Sequence, residues 1–208
     1  MQTIAIFGGS FNPPTRAHRL VVETVKDALQ GVPVVVLPAP RVAHKDPATL
    51  APFADRLHMA RLAYDNMPQV TVSDFAEHVD SAQTVDLLDA YRAAQPDRRV
   101  IWVMGADSFV SLPLWERWED IITTTPLFVL ARKDQVDPIH HAEPAQRFAA
   151  LETTTPETLL ESPGWYLDTD FTAPFSATDV RTALARGEAS PYLDPSVASF
   201  IATRGLYK

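Results

Sequence analysis

The chain has no cysteine. That absence excludes disulfides, thiolate catalysis and cysteine-held zinc together. No apolar run reaches the roughly 18 residues of a membrane span, and no basic-then-apolar leader precedes the first strand-like segment. A cytosolic location and no membrane partner are therefore expected. Basic residues are scarce: 18 Lys and Arg stand against 26 Asp and Glu, a net charge of −8, and they form no block. Binding to nucleic acid through its phosphates needs a basic face, so no nucleic-acid partner is expected either. An anionic ligand has to be met by a few placed cations and backbone amides. Neither G-x-G-x-x-G nor G-x-x-x-x-G-K-[ST] occurs, which removes support for ordinary dinucleotide oxidoreductases and P-loop nucleotidases.

What is present is an alternation. Strand-like apolar runs at 3–7, 32–37, 70–75, 100–104, 127–131 and 165–168 are separated by helical patterns near 18–29, 52–66, 84–95 and 114–122. Strand and helix in turn predict βαβ units and a doubly wound parallel sheet, an α/β fold. Further helices are expected at 144–151, 178–186 and 195–203. With no repeat and no break in composition, residues 1–208 read as one domain with a helical C-terminal end.

Ligands of open parallel sheets sit at the carboxyl ends of the strands. Three loops are expected there: Gly8 to His18, Pro38 to Lys45, and Gly105-Ala106-Asp107. In the first, two glycines allow close backbone approach, a Pro pair precedes the helix, and Thr15 and His18 lie three apart on one face of its first turn. A hydroxyl and an imidazole at a helix N-terminus suit a phosphate. At the far end, Ser176-Ala177-Thr178-Asp179-Val180-Arg181 repeats the theme with Arg181 one turn in. Read alone, that segment is also a plain helix cap with a surface arginine.

Taken in order, these segments resemble the bacterial nicotinate-mononucleotide adenylyltransferases, nucleotidyltransferases that carry (H/T)-x-G-H and S-[ST]-T-x-x-R signatures. Gly8-Gly-Ser-Phe-Asn-Pro with Thr15-x-x-His18 resembles the first signature, and Ser176-x-Thr-x-x-Arg181 the second. Pro40-Arg-Val-Ala-His44-Lys45 is similar to the family's P-x-x-x-H-K loop, and Gly105-x-Asp107 with Pro113-x-Trp115 to its G-x-D…P-x-W run. The ending Gly205-Leu-Tyr-Lys208 is similar to its tail.

The resemblance implies a Rossmann-like nucleotidyltransferase fold and roles for matched positions. Gly8, Gly9, Ser10 and Phe11 would line the cleft with backbone amides. Thr15 and His18 would hold ATP phosphates, His18 donating at the α-phosphate. Lys45 and Arg132 would also face phosphate, and Asp107 would accept from a ribose hydroxyl. Ser176, Thr178 and Arg181 would bind the triphosphate end. Trp115 would stack on the pyridine ring, whose carboxylate would be received at the helix beginning near Thr84. Two positions depart from the family. Ala17 replaces the glycine before the motif histidine, and Gln83 replaces the tyrosine before Thr84.

The reaction so implied is adenylyl transfer from ATP to nicotinate mononucleotide in NAD biosynthesis, with magnesium arriving on ATP and no dedicated metal site. Alternative acceptors are nicotinamide mononucleotide and phosphopantetheine. A tRNA-synthetase-like domain is a further reading, although Ser176–Arg181 carries no lysine, and so is a non-catalytic nucleotide-binding regulator on the same fold. The oligomeric state is not legible. Remaining histidines, including His58, His78 and the adjacent His140 and His141, are read as structural.

Overall fold

The computed structural model describes residues 1–42, 46–132, 135–173 and 175–208. Its frame is one sheet of seven strands: β1 (Gln2–Gly9), β2 (Val34–Pro38), β3 (Val70–Val72), β4 (Arg98–Gly105), β5 (Leu127–Leu130), β6 (Glu152–Thr153) and β7 (Trp165–Asp168). All pairings are parallel, in the order β3-β2-β1-β4-β5-β7-β6. The α/β, doubly wound, Rossmann-like fold expected from the sequence is the fold observed.

Continuous apolar runs make the central strands because helices cover both sheet faces. Within β1 the side chains alternate. Ile4 and Ile6 join one core with Trp102, Phe109, Ile121 and Trp165. Ala5 and Phe7 join the other, with Val22, Met59, Val103 and Ile201. The covering helices are α1 (Arg16–Ala28), α2 (Phe53–Tyr64), α3 (Thr84–Ala94), α4 (Ala106–Val110), α5 (Trp118–Thr124), α6 (Val136–His140), α7 (Glu143–Arg147), α8 (Ala177–Ala185) and α9 (Pro195–Arg204). Among the described residues no helix is long and apolar enough to cross a membrane.

Differences from expectation fall on short elements. The segment expected to be helical over 114–122 is a 3₁₀ turn at Leu112–Leu114, then a break, then α5. The break passes through Arg117, which is left-handed at φ 49°, so no continuous helix crosses it. The 70–75 strand ends at Val72, and Phe75–His78 is a 3₁₀ turn. The 144–151 helix is α7 followed by another such turn. Helices α4 and α6 have five residues each and β6 has two, too few for an amphipathic period to register.

Strand β1 has β2 on one side and β4 on the other. The winding therefore reverses at β1, and the loops leaving its carboxyl end and those of β2 and β4 surround the switch point.

Candidate active site

The loop from Gly8 to Pro14 is the centre of the site. Gly8 has to be glycine: a Cβ there would lie 2.3 Å from the Trp102 indole. Trp102 is buried on β4, and its Nε1–H has no hydrogen-bond partner among the described residues. At Phe11 the chain turns left-handed, with φ 45°. The Phe11 ring is fully enclosed, edge-on to Phe7 and 5.2 Å from the His18 ring centre. Phe11 is thus a buried support for His18 and does not itself line the cleft.

Gly8, Gly9 and Ser10 form one wall of a cleft of ≈ 370 Å³. Thr84, at the start of α3, and Trp115 line the same cleft. So does Gln83, the position that departs from the family, together with Arg41, Ser81, Trp102, Ser108 and Ser111, to which sequence reasoning gave no role. Ser81 donates to Asp86 at 2.6 Å and accepts from the Gln83 amide at 3.0 Å, which shapes the entry to α3. Arg41 pairs with Asp80 at 3.2 Å, both exposed. Trp115 is half-buried in this wall, whereas Trp118 is buried against Phe148. The two tryptophans thus separate into a lining and a packing residue.

Thr15 and His18 meet as their spacing predicts. The His18 Nδ1 accepts from the Thr15 amide at 3.1 Å and lies 2.9 Å from its hydroxyl. With Nδ1 accepting, the network assigns the proton of the neutral ring to Nε2. Thr15 itself is buried, so its hydroxyl orients the imidazole. The first turn of α1 holds no acidic residue.

The second signature opens α8. Ser176 Oγ accepts from the Asp179 amide at 3.3 Å, and the Asp179 carboxylate accepts from both the Ser176 amide and hydroxyl at 2.8 Å. Those bonds, the hydroxyl's first, hold the Asp179 carboxyl below its ordinary pKa. Arg181 reaches back 169 residues: Nη1 donates to the Asn12 carbonyl at 2.8 Å, and Nη2 to Thr178 Oγ1 at 3.0 Å. Both signatures therefore converge on the first loop.

On the other flank, Asp107 stands in the first turn of α4 and accepts from Gln135 Nε2 at 2.9 Å. Gln135 Oε1 accepts from the Arg132 amide at 3.1 Å. Gln135 thus ties the exits of β4 and β5, a link with no sequence signal. Lys45 lies outside the described residues.

Sequence reasoning also missed Arg56. It is enclosed in α2, and its guanidinium donates to the carbonyls of Ala51 (2.9 Å), Ser10 (2.7 Å), Ala39 (2.7 Å) and Pro40 (3.1 Å). One buried cation so fixes the ends of two strand-exit loops. Burial lowers its pKa from the ordinary arginine value. A lone arginine within a helical pattern gives no hint of such a role.

A parallel sheet whose switch point carries a glycine loop and two hydroxyl-opened helix starts, with no P-loop, has the architecture of a nucleotidyltransferase-type α/β protein. The cytidylyltransferase-like family model matches residues 6–183. A probable nicotinate-nucleotide adenylyltransferase of Neisseria gonorrhoeae is 31% identical over 212 aligned positions, covering 100% of both chains. One of Brucella abortus is 37% identical over 131 residues, 62% of this chain and 66% of that protein. The Plasmodium falciparum nicotinic acid mononucleotide adenylyltransferase complexed with NaAD shares the fold, with a TM-score of 0.75 at 20% identity over 100% of this chain and 98% of that one. This chain belongs to the cytidylyltransferase-like family and, within it, to the nicotinate-nucleotide adenylyltransferases.

Proposed function

We propose that this protein transfers the adenylyl group of ATP to nicotinate mononucleotide, forming deamido-NAD and pyrophosphate. The observation that carries the reading is the convergence on one loop: Gly8 to Ser10 line the cleft with Thr84 and Trp115, Asn12 receives Arg181, and Thr15 with His18 closes the loop.

A mononucleotide 5′-phosphate oxygen attacks the α-phosphorus of ATP. The bond from that phosphorus to the bridging oxygen breaks, and pyrophosphate leaves with the electron pair. No protein nucleophile is needed, so the chain contributes positioning and charge stabilisation. His18 Nε2–H donates where charge develops on the α-phosphate, held in that tautomer by Thr15. Arg181, with the hydroxyls of Ser176 and Thr178, meets the departing phosphates. Asp107 accepts from a ribose hydroxyl, and Arg132 faces phosphate. Magnesium enters as part of the Mg–ATP substrate, consistent with its preference for phosphate and water oxygens; among the described residues no three His, Asp or Glu stand together as ligands.

Trp115 offers the indole face best suited to a pyridinium. The amides opening α3, with Arg41 also on the lining, suit its carboxylate. One observation favours a second acceptor. Asp86 places a carboxylate in the first turn of α3, and Gln83 on the cleft lining supplies a carboxamide, residues that also suit nicotinamide mononucleotide. Pyrophosphate release from ATP, measured with each mononucleotide in turn, decides between them. Nicotinate is expected to be preferred, and release with neither acceptor would refute the reading. Trp115→Ala is expected to raise the mononucleotide KM about tenfold, with the KM for ATP unchanged.

A further inference from the structure

The segment after α9 carries a motif that the reaction leaves without a role. Gly205 ends α9 in the left-handed region, φ 64°, and the Leu206 amide donates back to Ile201 at 3.1 Å, which turns the chain inward. Tyr207 follows at φ 63°, a left-handed conformation that a non-glycine residue keeps only where its surroundings hold it. Its phenol donates to Asn12 Oδ1 at 2.8 Å across 195 residues. Burial pushes the phenol pKa well above its ordinary value, so it remains a donor.

Asn12 is 3% exposed and uses every group of its side chain. Oδ1 also accepts from the Ala51 amide at 2.9 Å, Nδ2 donates to the Thr49 carbonyl at 2.9 Å, and the main-chain carbonyl accepts from Arg181. Its neighbour Phe11 is itself left-handed. Five non-glycine residues among those described have positive φ, and two of them stand at or beside the ends of this single hydrogen bond. Strain at both ends of one contact marks a conformation that the fold maintains for use.

We propose that Tyr207 is a positioning residue for ATP. It sets the Asn12 peptide, and through the Asn12 carbonyl it aims Arg181 at the phosphates. The inference rests on the adenylyl-transfer reading. On this view the C-terminal segment acts on the triphosphate end and leaves the mononucleotide cleft alone.

Tyr207→Phe removes the donor and keeps the ring. The expected result is a three- to tenfold loss of kcat/KM for ATP, the range of one hydrogen bond, with the mononucleotide KM unchanged. In an Arg181→Lys background the same substitution should have little further effect, because both changes act through one path. Leu206→Ala is the packing control, since Leu206 is partly buried against the core beside Tyr207. It should lower Tm without separating the two KM values. Unchanged ATP kinetics in Tyr207→Phe, equal shifts in both KM values, or additivity with Arg181→Lys would each overturn the inference. Wild-type protein that neither releases pyrophosphate nor binds ATP by calorimetry would overturn the adenylyl-transfer reading and this inference together; wild-type turnover matched by Tyr207→Phe would overturn the inference alone.

Discussion

The helix starts of α1 and α8 are built to one plan and finished with different charge. Each opens on a hydroxyl residue whose partner stands three positions later, Thr15 with His18 and Ser176 with Asp179. In α1 the partner is a neutral imidazole and the first turn has no acidic residue. The positive end of that helix stays available to an anion. In α8 the partner is a carboxylate, which satisfies the helix start but offsets its positive end. The second signature must then supply its charge from a side chain, and Arg181 does so one turn in. On the proposed reading, the first site would act by dipole and directed hydrogen bond, and the second by a guanidinium held against Asn12. A shared cap motif is thus no guide to the charge it presents.

Removing the imidazole should break the comparison most severely. His18→Ala is expected to lower kcat 10²- to 10³-fold, as loss of one preorganised donor does. Thr15 can still cap α1, so the variant should melt near the wild type. Near-native turnover in a well-folded variant would end the assignment.

Arg56→Leu acts on the frame shared by both sites. It strands the Ser10, Ala39, Pro40 and Ala51 carbonyls in a buried setting. At least about 3 kcal/mol of stability should be lost, read from the denaturation midpoint at unchanged m-value. A loss below about 1 kcal/mol would show that water replaces the guanidinium freely.

Arg181→Lys should cost less. A point charge replaces a planar fork that grips Asn12 and Thr178 together. The KM for ATP is expected to rise about tenfold, equivalent to about 1.4 kcal/mol. If the acceptor KM rises instead, Arg181 serves the other substrate.

Asp179→Asn sharpens the contrast by making α8 resemble α1. Without the carboxylate, the KM for ATP should fall about twofold, within the range of a helix-terminus charge. The carboxyl is held below its ordinary pKa in the folded chain. Its contribution to stability is therefore present above the unfolded value of about 3.9 and lost as pH falls through the lower folded one. The small Tm advantage of the wild type over Asp179→Asn should accordingly narrow below about pH 4. A constant difference across that range would remove the linkage.

Much of the fold and part of the site are legible in the sequence. Apolar runs of strand length separated by helical periods specify a parallel sheet, because only helices on both faces bury such strands. The spacing of Thr15 and His18 specifies their meeting, since residues three apart at a helix start share a face. Short elements escape because five residues carry less than two helical turns of pattern. Without the resemblance to the P-x-W run, Trp115 and Trp118 are indistinguishable in sequence; a turn through left-handed Arg117 puts one in the cleft wall and the other in the core.

Residue types and their near neighbours are enough to specify the α/β order, the two phosphate-suited helix starts and the absence of thiol and P-loop chemistry. Each of these depends on side chains within a turn or two of one another. The folded chain adds what no such window contains: Arg56 ties two loops, Gln135 links Asp107 to the Arg132 amide, and Tyr207 and Arg181 meet on Asn12 across 195 and 169 residues. Such contacts form where the folded sheet brings distant segments together, and no local pattern encodes a partner that far along the chain.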